Sequence, residues 1–127
     1  MLLNDFFIID DLQTGNGSVR ALLHLDVGHP IFDGHFPGRP VVPGACLLQL
    51  VQELAASING GEVRLTRADQ LKFITPIDPI QNGMIEMMLT GMQTEAKEWH
   101  ITATASNAGA VCFRFKGIFR AGSDYAG

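Results

Sequence analysis

The chain has 127 residues, of which 46% are hydrophobic and 17% charged. That suits one ordinary domain with a real core and excludes a disordered chain. Nine Lys and Arg stand against thirteen Asp and Glu, a net charge of −4, which argues against nucleic acid as the main partner.

The N-terminal stretch from Met1 to Asp11 lacks a basic region and carries Asp5, Asp10 and Asp11, so it does not read as a signal peptide. No apolar run approaches the roughly 20 residues of a membrane helix. A cytoplasmic protein is expected. Cys46 and Cys112 lie in apolar contexts without the spacing of metal ligands, and two buried, reduced thiols are expected. Neither a metal nor a cofactor is expected.

Phe6 to Gln13 is apolar and β-prone and runs into Thr14-Gly15-Asn16-Gly17, a strong turn signal. Val19, Ala21, Leu23, Leu25 and Val27 then alternate with Arg20, Leu22, His24 and Asp26, a period of two that predicts a strand with one buried face. The two form a hairpin. From Gly28 to Val42, His29-Pro30, Gly34, Pro37, Gly38 and Pro40 predict a loop with neither helix nor regular strand. A helix is expected from about Pro43 to Ile58, with Pro43 in its first turn. Its apolar residues cover too much of the circumference for a surface helix. Asn59-Gly60-Gly61 ends it.

Strands are expected over Glu62 to Ile74 and Met84 to Met92, flanking a turn region from Pro76 to Gly83. Two more follow, around Trp99 to Ser106 and Val111 to Lys116, joined by a turn at Asn107 to Gly109. A hairpin, a loop, one buried helix and a strand meander predict an α+β domain spanning residues 1–127, with a curved antiparallel sheet wrapped around the helix.

Residues 29–53, HPIFDGHFPGRPVVPGACLLQLVQE, carry the chemistry. They deliver a loop histidine to the start of the helix. First-turn amides, near Gly44 and Ala45, have no partner within the helix and present the positive end of its dipole. A carbonyl oxygen held there is stabilised as it gains negative charge. A histidine beside it is the layout for removing a proton next to a carbonyl. The plainer readings stand beside this one. His35 taken alone reads equally as a loop staple. His29 suits loop orientation better than a second base, and His24 and His100 fall on solvated strand faces. Gln49 must find hydrogen-bond partners whether or not it acts on a substrate. Glu53 reads as a partly buried charge with an Arg partner. Arg114 and Lys116 share one face, which is either simply solvated or a landing patch.

His35-Phe36-Pro37-Gly38-Arg39-Pro40 followed by Pro43-Gly44 resembles the HFPGxPxxPG signature of bacterial 3-hydroxyacyl-(acyl carrier protein) dehydratases. Phe32-Asp33-Gly34 resembles that family's lead-in, and Leu71 to Ile77 its K-F-x-x-P-V/I segment. The resemblance spans most of the chain and implies a hot-dog fold. It further implies a hydro-lyase of fatty-acid or polyketide-like biosynthesis, acting on an acyl carrier protein or coenzyme A thioester as a homodimer or higher oligomer. Carried over, it makes His35 the base and the Gly44 amide the carbonyl anchor. Phe36, Ala45 and Glu53 are the other expected substrate-binding residues. The family's second catalytic group is a carboxylate fourteen positions after the histidine, and here that position is Gln49. An amide can orient a hydroxyl but cannot protonate it. The departure favours one alternative, a weakly active or inactive subunit that completes a site with an intact partner; a hot-dog thioesterase is a further alternative, against which the His35-Phe36-Pro37-Gly38 loop argues.

Overall fold

In a computed structural model, residues 1–33 and 40–122 are described. Strands β1 (Phe7–Gly15) and β2 (Ser18–Leu25) form the expected hairpin. A single helix, α1 (Gly44–Asn59), follows, then β3 (Val63–Phe73), β4 (Met84–Glu95), β5 (Glu98–Asn107) and β6 (Ala110–Ala121). All pairings are antiparallel, in the order β1-β2-β4-β5-β6-β3. The chain therefore crosses the sheet after α1, and β1 and β3 are its edges.

Alternation explains the core. Val19, Ala21, Leu23 and Leu25 of β2 face inward with Ile85, Met87 and Leu89 of β4, Ile101, Ala103 and Ala105 of β5, and Phe113 and Phe115 of β6. Leu50, Val51, Leu54 and Ala55 of α1 pack into this concave layer. Burying a large aliphatic or aromatic side chain contributes roughly 1.5–3 kcal/mol, so the helix is held by its apolar surface. Gly60 closes it in the left-handed conformation, φ 78°, donating its N–H to the Ala56 carbonyl at 2.9 Å. The turn between β5 and β6 places Ala108 and Gly109 at φ 53° and 78°, the two positive values a tight hairpin turn requires.

Three expectations are corrected. Val27 does not extend the inward row of β2: the strand stops at Leu25, and Val27 is exposed in the following turn. The loop after β2 is not free of helix, since Pro30–Asp33 forms a 3-10 turn closed by the Phe32 N–H on the His29 carbonyl at 3.1 Å. Pro43 is not inside α1. Its ψ of 136° makes it the N-cap, and, having no side-chain oxygen, it caps no first-turn amide. Cys112 is buried, as expected. The register shifts between Ala105 and Ser106, and Cys112, the extra residue, is buried with its thiol on the Ala105 carbonyl at 3.4 Å.

Both cysteines are free and buried. Burial pushes each thiol above its ordinary pKa, so the position of Cys46 near the helix N-terminus does not activate it.

Candidate active site

The site is built where α1 begins. The Val42 N–H donates to the Ile77 carbonyl at 3.2 Å, and the Ile74 N–H to the Cys112 carbonyl at 2.9 Å. These bonds hold the segment after β3 against the helix entrance. Between them lies a cleft of about 310 Å³ bounded by Val42, Gly44, Leu47, Phe73, Ile77 and Cys112. Its size and apolar walls fall within the range of small-molecule sites.

Gly44 is the first residue of α1, so its amide has no carbonyl partner inside the helix. A Cβ at this position would lie 2.7 Å from the ring of Phe73. The glycine thus lets an aromatic ring reach the helix entrance. Phe73 is 52% exposed despite packing 5.3 Å from the ring of Phe113. Gly44→Ala is expected to displace that ring, destabilise the fold by about 1 kcal/mol, the low end of overpacking costs, and narrow the cleft. Thermal unfolding and titration with an acyl-thioester analogue check both.

Ala45, Gln49 and Glu53 repeat every four residues and share one helix face. Ala45 and Gln49 are exposed. Gln49 stands five residues beyond Gly44, roughly 7.5 Å along the axis at 1.5 Å per residue. Glu53 is buried, 7% exposed, because the N-terminal segment lies over it. Its Oε2 accepts the Leu2 N–H at 2.9 Å and the Gln49 Nε2–H at 3.0 Å; its Oε1 accepts the Leu3 N–H at 2.9 Å. Backbone amides hold this carboxylate, in place of the arginine expected from sequence.

His29 orients the loop. Its Nδ1 accepts the Ile31 N–H at 3.1 Å, which leaves the proton on Nε2, donated to Asp5 at 3.0 Å. With that lone pair occupied and Phe6 packed edge-on at 5.2 Å, His29 is a staple between the N-terminus and the 3-10 turn. His24 and His100 are half-exposed beside Asp10 and Glu98. His35 and Phe36 lie outside the described residues. Among the described residues no group of three or more His, Cys, Asp and Glu could hold a metal ion.

The structure therefore brings Gly44 to the cleft, sets Ala45 and Gln49 on the exposed helix face, and turns Glu53 toward the N-terminus. Sequence reasoning gave no role to Phe73 or Cys112. For Phe73 the signal was present: it belongs to the Leu71–Ile77 segment that carries part of the resemblance.

A curved antiparallel sheet around one helix, with a cleft at the helix entrance, defines a hot-dog domain. The family model described as ApeI-like, ApeI dehydratase, matches residues 11–113, and the chain belongs to that family. It is 28% identical over 109 residues to the 3-hydroxyacyl-[acyl-carrier-protein] dehydratase FabZ of Rickettsia massiliae, covering 80% of this chain and 74% of the relative. Against the FabZ of Albidiferax ferrireducens it is 28% identical over 104 residues, 74% of this chain and 69% of the relative. Among solved structures, the dehydratase heterocomplex ApeI:P of Xenorhabdus doucetiae has the same fold, with a TM-score of 0.77 at 18% identity, covering 90% of this chain and 97% of that one. The HP0420 homologue of Helicobacter felis gives 0.67 at 14% identity, covering 88% and 87%.

Proposed function

We propose that the chain removes water from a 3-hydroxyacyl thioester to give a trans-2-enoyl thioester. The observation that carries this reading is the apolar cleft with Gly44 at its edge, a place for an acyl chain beside an amide that can bind the thioester carbonyl. His35 takes the proton from C2 while negative charge grows on the carbonyl oxygen at the Gly44 amide. The C2–C3 double bond forms as the C3–O bond breaks. The proton held by His35 passes to the departing oxygen, which leaves as water in a syn elimination. Phe36 and Ala45 complete the substrate-binding surface.

An acyl carrier protein or coenzyme A is the proposed carrier. Lys72 pairs directly across from Arg114, and Lys116 is the next outward residue of β6. No carboxylate among the described residues lies within ion-pair distance of these three. Like charges opposed across strands destabilise a sheet, and an acidic or phosphate-bearing partner relieves that repulsion. Lys72 directly precedes Phe73, a wall of the cleft, in β3.

Edge strand β3 runs eleven residues, with Leu71 and Phe73 exposed near its end. Such an edge invites pairing. A dimer or larger oligomer joined through β3 is expected, and a monomeric mass by light scattering at micromolar concentration would contradict it. No described helix is long and apolar enough to cross a membrane; a cytoplasmic place of action, in fatty-acid or polyketide-like synthesis, is part of the proposal.

A second reading has its own support. Gln49 has no proton to give a leaving hydroxyl, and the similar Xenorhabdus protein belongs to a dehydratase heterocomplex. On that reading the chain completes a site with a carboxylate-bearing partner. The purified chain incubated with a 3-hydroxyacyl carrier protein separates the two: enoyl absorbance from the chain alone supports the first. Absorbance only after mixing with an intact dehydratase subunit supports the second.

A further inference from the structure

Gln49 occupies the position where a carboxylate is expected, and its amide can face either way round. Glu53 decides which. Its carboxylate already takes the N–H groups of Leu2 and Leu3, and a carboxylate only accepts. The end of Gln49 that meets it at 3.0 Å must therefore be the NH2. The other end, Oε1, receives no donor from any described residue and lies on the exposed face of α1 shared with Ala45.

We infer that Glu53 is a positioning residue that locks Gln49 with its carbonyl oxygen outward, so that this site presents a hydrogen-bond acceptor and selects ligands with a donor at C3. A 3-hydroxyl donates to that oxygen and keeps its own lone pairs free for the proton it must receive. A 3-oxo group is acceptor-only and meets Oε1 with like polarity. The inference rests on the dehydratase reading for the class of ligand, but the lock itself does not. The N-terminal segment is part of the device: Leu2 and Leu3 fix the carboxylate that fixes the amide.

The test measures binding, not turnover. Pantetheine amides carrying the same chain as 3-hydroxyacyl, 3-oxoacyl and unsubstituted acyl groups are titrated into the full chain. The 3-hydroxy form is expected to bind about tenfold tighter than the 3-oxo form, the worth of one well-made hydrogen bond over a mismatched one. In Glu53→Gln the facing group can accept or donate, Gln49 is released, and the preference falls to about twofold or less. An unchanged preference in that variant overturns the proposal. Should Glu53→Gln fail to fold, Gln49→Leu carries the binding arm, since it removes the acceptor and leaves Glu53 its two backbone donors; a retained preference there is equally fatal. In parallel, the side-chain amide protons of Gln49 are read by NMR. One proton protected from exchange with solvent is expected in the parent chain, and free exchange of both overturns the lock. If no analogue binds while the proton is still held, the thioester reading and the selection fail and the lock stands.

Discussion

Gln49→Glu is expected to raise dehydration by roughly 10²–10⁴-fold, the usual contribution of a general acid. The side chain is nearly isosteric and already exposed on α1, so packing does not oppose the change. The carboxyl must stay protonated to act, and its neighbour arranges this. It would stand where the Gln49 amide now meets Glu53 Oε2 at 3.0 Å, and two carboxylates that close do not both ionise readily. Both Glu53 oxygens already accept N–H groups, from Leu2 and Leu3, so a shared proton has its free place on the new carboxyl, the one nearer the helix entrance. Initial rates of enoyl formation check the gain. A large fall would mean that the Gln49 carbonyl has an indispensable part in holding the hydroxyl. Silence from both forms would favour the paired-subunit reading.

His35→Ala is expected to abolish turnover while leaving the melting temperature within a degree or two. The base supplies a step that no other described group can take over. His29 has its Nδ1 lone pair occupied by the Ile31 amide, and His24 and His100 are outward residues of β2 and β5. The core among the described residues contains no histidine. Retained turnover would remove His35 from the mechanism. A large loss of stability with it would make the residue a loop staple.

Strands with one buried face were legible because their period is two, and α1 because its apolar residues encircle it. The limits of each came from punctuation: Asn16-Gly17, Gly60-Gly61 and Ala108-Gly109. What was not legible depended on where distant backbone runs. Glu53 looked like half of an ion pair because its true partners, the amides of Leu2 and Leu3, are common to every residue and leave no mark in side-chain identity. The inward turn of Cys112 follows from one extra residue in β6 against β5, which strict alternation cannot foresee. Phe73 reaches Gly44 only because the segment after β3 returns to the helix entrance through Ile74 and Ile77. The roles of His35 and Phe36 came from the motif alone, and both lie outside the described residues.

The crossing in the sheet has a consequence for how the chain is made. Val63 of β3 pairs with Ala121 near the end of β6, and the β4–β5–β6 meander must be in place before β3 has a partner. As the chain leaves the ribosome, α1 emerges with most of its circumference apolar and only the β1–β2 hairpin to lie on. Four further strands must be synthesised before its cover is complete. Long-range pairing of this kind slows folding, and an exposed apolar helix in the interval is prone to wrong association. The element that carries the site is therefore the one most in need of shelter during synthesis.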